Sequence, residues 1–383
     1  MARASVSFRR AFLALHRWIA LILFVLLVPI ALSGALLVFH DEIDELLNPS
    51  RYAVTGNTLL TQTDYLRSAA VAVGNDVRVS AMRFPNDDVA PVTVQARGNS
   101  QRDSGPPQFF TIYLDPPTAR VLDVQETRSS FFGFMHRFHE NLTIPEYSGR
   151  AIVGWVGVGL LFLSLSGIYL WWPRNGTLSR GLRWRRTADG YNNLHHTFGF
   201  WISIPLAFVS ITGIYLSFPP QARNLMSSVV PMVPQASRPG FGPVVRETTL
   251  TSERALAAAM EVAPQARPVG IFLPTASRDG WPAPAWRIQL RSTDNVPLTV
   301  MVNDASGTAS LMPSPLSGDR AAQWIRWLHE GSHAGLIWRV IVLLTGIFPV
   351  VLGVTGIVVW LRLRQRRARL NSDSFVEPLR AAE

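Results

Sequence analysis

"LHRWIALILFVLLVPIALSG", residues 15–34, and "LHHTFGFWISIPLAFVSITG", residues 194–213, are two versions of one segment. Each opens on Leu-His and closes on Gly, with 18 residues from the histidine to that glycine. Each carries an apolar run long enough to cross a bilayer, which needs about 20 such residues. Two further runs are matched in the same way. "FHENLTIPEYSGR" (138–150) precedes one and "LHEGSHAGLIWR" (328–339) the other, with one residue of slack, and Arg150 to Gly167 and Arg339 to Gly356 both span 17 residues. The chain is therefore a tandem repeat, and four spans are expected: Trp18–Phe39, Ala151–Trp172, Phe198–Phe218 and Leu336–Leu361. The first is too long for a signal-peptide core and is read as a retained helix.

Between the spans of each half lies a polar module. "FFTIYLDPPTARVLDV" (109–124) and "PLTVMVNDASGTASLM" (297–312) each read as strand, tight turn, strand, turning at Asp115-Pro116-Pro117 and at Asn303-Asp304. Ahead of them stand helix candidates "DYLRSAAVAV" (64–73) and "SERALAAAMEV" (252–262), then strands such as "APVTVQARG" and "AWRIQLRS". The Pro-rich stretch 219–243 reads as an ordered surface linker. The fold class expected is an α+β membrane protein, with four transmembrane helices in two helix–module–helix repeats. Its divisions are 1–47 (N-terminal segment and first helix), 48–130 (first module), 131–173 (pre-helix and second helix) and 174–194 (basic loop). The second half then runs through 195–219 (third helix), 220–320 (linker and second module), 321–363 (pre-helix and fourth helix) and 364–383 (basic tail).

The net charge of +10 invites a nucleic-acid reading until it is located. Fifteen arginines lie in three short segments: Arg3, Arg9, Arg10 and Arg17; Arg174, Arg180, Arg183, Arg185 and Arg186; Arg362, Arg364, Arg366, Arg367, Arg369 and Arg380. Only Asp189, Asp373, Glu377 and Glu383 oppose them, while the two long loops hold 21 Arg and 22 acids. The basicity thus lies on one side of the membrane, which is the positive-inside pattern. It predicts an inner-membrane protein with both termini cytoplasmic and both modules outside, and removes any need for a nucleic-acid partner. Cysteine is absent, which excludes disulfides, thiolate metal sites and Cys-ligated clusters. Lysine is absent too, and no function is attached to that. No Gly-rich phosphate loop, dinucleotide fingerprint, serine elbow or H-E-x-x-H is present.

The order of these parts resembles the PepSY-associated transmembrane helix family, on "LHRW…SG" opening the first repeat, "LHE" before the last helix, and the strand–DP–turn–strand finish "YLDPPTARVL". Within that family the resemblance is to ferric-siderophore reductases of the FoxB type, and it covers nearly the whole chain. It implies PepSY-like periplasmic modules and a periplasmic ferric-siderophore as substrate, reduced from Fe(III) to Fe(II) for release.

All eight histidines (16, 40, 136, 139, 195, 196, 329 and 333) lie at helix ends, and none falls in 41–135 or 220–328. Ionisable groups in a membrane default to a functional role. By the repeat, His16 corresponds to His195 at one end of the bundle, and His139 to His329 at the other. A pseudo-twofold axis along the membrane normal brings each pair face to face, as a six-coordinate haem requires. Two b-type haems follow, one per membrane face and roughly 25–30 Å apart at most along the helices, with no residue needed as acid or base. Electrons would enter from a quinone or a cytoplasmic reductant. Gly34, Gly213, Gly167 and Gly356 read either as seats for a flat ring or as ordinary close helix packing. Arg17, Arg150 and Arg339 read either as propionate partners or as topology residues.

His40, His136, His196 and His333 do not follow the repeat and are weaker candidates, although His196 leaves an alternative pairing for His16 open. A rival reading joins His136, His139, His329 and His333 in a four-imidazole copper or zinc site. A third makes the modules a peptide- or partner-binding domain on a membrane anchor.

Overall fold

The computed structural model describes residues 2–98, 108–173, 177, 182–184, 187–234, 244–275 and 283–380. Most of the basic loop (Arg174, Arg180, Arg185 and Arg186) and the linker segment 235–243 lie outside the described residues. The chain forms two compact units. One comprises Met1–Phe39, Met135–Pro231 and Ser317–Glu383, the other His40–Phe134 and Met232–Leu316.

The first unit is helical. Four helices in it are long and apolar enough to cross a membrane: α1 (Ala2–Val38), α5 (Gly149–Trp171), α6 (Gly190–Ser217) and α10 (Gly335–Arg380). They close a ring in which α1 packs on α5, α5 on α6, α6 on α10 and α10 on α1. Large apolar side chains such as Ile22, Val25, Trp155 and Ile337 point outward, whereas Ser33, Ser164, Ser166, Ser203, Ser210, Thr212, Thr345 and Thr355 are buried. This inside-out distribution suits hydrocarbon outside and close backbone contact within. At Gly346, for instance, an added Cβ would stand 2.6 Å from the Cβ of Ala35.

The helices outrun the apolar windows of the sequence. In α1, helix continues back through Arg9, whose guanidinium donates to the carbonyls of Leu170 and Trp172 at the end of α5. The expected linker starts instead with a helix, α7 (Pro219–Val229). Its two leading prolines occupy the first turn, where no N–H is needed. Two pre-helices, α4 (Phe131–Asn141) and α9 (Ser317–Glu330), stand ahead of α5 and α10.

The second unit holds a single antiparallel sheet of eight strands. In chain order these are β1 (Val77–Arg83), β2 (Val92–Gly98), β3 (Phe109–Leu114), β4 (Val121–Glu126), β5 (Arg267–Phe272), β6 (Ala285–Arg291), β7 (Pro297–Asn303) and β8 (Ala309–Leu311). The spatial order is β4-β3-β2-β1-β5-β6-β7-β8, so each module supplies four strands and β1 pairs with β5 across the join. Met82 stands opposite Ile271, its own repeat counterpart: both this pair and Asp115/Asp304 are 189 positions apart. The local twofold axis therefore passes through that contact.

Helices α3 (Gln62–Val73) and α8 (Ser252–Val262) cover one face, each started by a threonine cap, Thr61 and Thr251. The core between them contains Tyr65, Met82, Ile112, Ile271, Trp286 and Val300. Asp115 accepts hydrogen bonds from the N–H and hydroxyl of Thr55 and from the hydroxyl of Thr118. Asp304 accepts from the N–H groups of Thr249 and Leu250 and from Trp286 Nε1. These carboxylates pin the chain leading into α3 and α8, respectively. A short helix α2 (His40–Leu47) supplies Asp44, which with Asp123 neutralises the buried Arg51.

Candidate functional site

Four imidazoles are held in the helical unit, and all four are held alike. His139 of α4 lies against Gly34 of α1, where an added Cβ would be 2.6 Å from its Cε1. His329 of α9 lies against Gly213 of α6, at 2.9 Å by the same measure. His195 of α6 faces Gly356 of α10 at 3.3 Å, and His16 of α1 faces Gly167 of α5 at 3.7 Å. The space beside Gly34, Gly213 and Gly356 is taken by an imidazole, and Gly167 meets His16 at ordinary contact distance.

The residue before each glycine carries a hydroxyl, and each hydroxyl touches the seated ring. The Nδ1 atoms of His16, His139, His195 and His329 lie 2.8, 3.3, 3.1 and 3.1 Å from Ser166, Ser33, Thr355 and Thr212, respectively. Every one of these hydroxyls already donates its own proton to its helix: Ser33 to Ile30 O, Ser166 to Phe162 O, Thr212 to Val209 O and Thr355 to Val351 O. With its proton on the helix carbonyl, each hydroxyl offers the imidazole a lone pair, which matches an Nδ1–H donor. For His139 and His329 the carbonyls of Ile30 (2.8 Å) and Val209 (3.2 Å) require the same. The Nδ1–H tautomer leaves the Nε2 lone pair available, which is how a ligating histidine is oriented by its surroundings.

Two of the rings meet. His139 and His329 have centroids 6.2 Å apart with planes at 42°. Two metal–nitrogen bonds of about 2.0 Å each, added to two half-rings, span roughly 6 Å. Burial pushes His329 down to about 4, with His139 adding to the effect, and burial lowers His139 as well, so both are neutral at physiological pH. At the other end of the bundle, His16 lies within electrostatic reach of His195. His196 is half-buried beside His195. Each of the four rings rests on the helix partner from its own repeat.

The weaker candidates are placed apart. His40 belongs to the other unit, hydrogen-bonded to Asp41 and edge-on to Phe132. The His136 side chain is 63% exposed beside Glu140, and the exposed His333 stacks on Trp327 at 4.1 Å. The four-imidazole copper or zinc site is therefore not formed, because only His139 and His329 face each other. Among the described residues no three His, Asp or Glu side chains converge on a metal-sized site.

The arginines divide. Arg339 donates to Val38 O at 2.9 Å and covers the Phe39 ring, finishing α1. Its repeat counterpart Arg150 pairs instead with Glu140, and the buried Nε atoms of Arg150 and Arg17 have no hydrogen-bond partner. An orphaned cationic donor thus stands beside each histidine level, next to His16 and beside the residue following His139.

The hydroxyls were not singled out from the sequence, though the signal was there: Ser or Thr precedes the glycine at all four matched positions. No curated protein sequence matches the chain. The model of the PepSY-associated TM region matches residues 13–362, which takes in both repeats and all eight histidines. This multi-pass membrane protein belongs to the PepSY-associated transmembrane family.

Proposed function

We propose that the chain is a di-haem oxidoreductase of the bacterial inner membrane, passing electrons to a periplasmic ferric-siderophore of the kind FoxB-type reductases take. The observation that carries the reading is the fourfold repetition of one imidazole seat, two seats at each end of a four-helix ring, with the His139 and His329 rings face to face. An anchor has no need of the same device four times. His16 and His195 would hold one b-type haem, His139 and His329 the other. Each haem, when bound, would supply a one-electron carrier, so that together they link a quinone or cytoplasmic reductant to the outside. The unpartnered Nε atoms of Arg17 and Arg150 suit propionate carboxylates.

The chain's own share is ligation and orientation. Nδ1–H donation to a hydroxyl or carbonyl raises imidazole basicity and fixes the ring plane. No side chain needs to move a proton. The positive-inside arginines argue for cytoplasmic termini and periplasmic modules.

The test is a reduced-minus-oxidised spectrum of purified protein with haem counted by pyridine haemochrome. Two bis-imidazole haems per chain are expected. One should be lost in His16→Ala or His195→Ala, and the other in His139→Ala or His329→Ala. A colourless protein from haem-replete cells would overturn the reading.

A further inference from the structure

Among the described residues, a charge cluster on the sheet has no compensating carboxylate. Along β6, Trp286, Ile288 and Leu290 are buried in the core beneath the helices, so Arg287 projects from the opposite face. There it meets Phe272, its cross-strand partner on β5, with the guanidinium carbon 4.0 Å from the ring centre. Arg83, at the end of β1, brings a second guanidinium to the same ring at 5.6 Å. Gly270, opposite Arg83, keeps the approach open: a Cβ there would lie 3.6 Å from Arg83 Cγ and 3.7 Å from the Phe272 ring.

Two like charges thus share one aromatic ring. Among the described residues no carboxylate pairs with either, and the buried Nε of Arg287 has no hydrogen-bond partner. Elsewhere in this unit the buried Arg51 receives two carboxylates. The cross-strand neighbours on this face, Thr93, Gln95, Gln289 and Met301, carry no charge. The cluster also breaks the repeat. Arg83 faces Thr93 where its counterpart Phe272 faces Arg287, so the second arginine has no twin.

We infer that Arg83, Phe272 and Arg287 form a binding site for a small polycarboxylate anion, the docking point of an anionic ferric chelate on the sheet. Guanidinium forks match carboxylate oxygens two by two, and the ring offers a flat apolar floor. The assignment of the anion as a ferric chelate rests on the reductase reading; the anion site does not.

The probe is gallium(III) citrate, a redox-inert tricarboxylate chelate, titrated by calorimetry into the full-length protein in detergent. Saturable binding is expected. Arg83→Gln and Arg287→Gln should each weaken it roughly ten- to hundredfold, the worth of a charge-assisted hydrogen bond. The control Arg291→Gln, whose native partner is Asn295, should leave it unchanged. Without chelate, Arg287→Gln should match or exceed the wild-type thermal midpoint, since it removes an unpaired buried charge. No binding, or equal binding by all variants, overturns the proposal, and so does a destabilised Arg287→Gln. Arginine-dependent binding to phosphatidylglycerol vesicles without chelate binding would assign the pair to lipid headgroups and equally overturn it. Because gallium is not reduced, a colourless protein that binds the chelate would sink the reductase reading alone.

Discussion

Gly34 leaves room for an imidazole that an alanine would obstruct, and the four seats differ in how much room they leave. A methyl at Gly34 or Gly213 would press on a buried ring, whereas at Gly167 it would meet His16 only at ordinary contact distance. Overpacking of this kind costs about 1–3 kcal/mol. On the proposed di-haem reading, Gly34→Ala should therefore empty the His139/His329 pair selectively, and Gly167→Ala should leave both haems in place. Pyridine haemochrome counts of one and two per chain, respectively, check this. Removing a hydroxyl should act more gently, because an orienting partner is worth about 10–100-fold in metal affinity. Thr355→Val should weaken haem retention at the His16/His195 level by that order, measured by transfer to apomyoglobin. The histidines were legible in the sequence because the repeat doubles them. The hydroxyls were not, since a Ser-Gly or Thr-Gly pair in an apolar run reads equally as helix packing.

The paired aspartates dominate the sheet's connections. Asp304→Ala would strand Trp286 Nε1 and two backbone N–H groups, each costing about 1–3 kcal/mol if left unmet. Loss of the cooperative unfolding transition of the sheet unit, followed by Trp286 fluorescence, is the expected outcome. Asp115 supplies a pH dependence. Burial alone would raise its carboxyl, but hydrogen bonds from Thr118 and Thr55 outweigh that and hold it below the usual carboxylate range. Its contribution is complete above about pH 4, the unfolded value. It is lost as the pH falls through the lower folded value, so acid unfolding of Asp115→Asn should begin from a lower plateau and be shallower. The hairpins on either side of these aspartates were readable from alternation and turn residues. Strands β1 and β5 were not. Each carries an irregularity against its outer neighbour, between Val79 and Ala81 and between Pro268 and Gly270, which breaks the period-two pattern where the two modules join.

The repeat was visible in the chain as matched spacings; that the modules would fuse into one sheet was not, because edge pairing leaves no motif. Both consequences of the repeat bear on assembly. The helical ring alternates contacts within and between repeats, and the sheet is closed at its centre by β1 against β5. Cutting the chain in the basic loop and expressing the two halves together should therefore give fragments that copurify and retain both haems. Separate halves that never associate would contradict the central pairing. The Met82–Ile271 contact carries a further implication. A strand facing its own counterpart is what two identical copies make when they meet edge to edge about a twofold axis. The present chain then descends from a half-length homodimer whose gene was duplicated and joined. In that ancestor one histidine at each level, supplied twice, made both pairs, and no arginine could be unique to one side. Fusion freed the two halves to differ, and Arg287 is one place where they did.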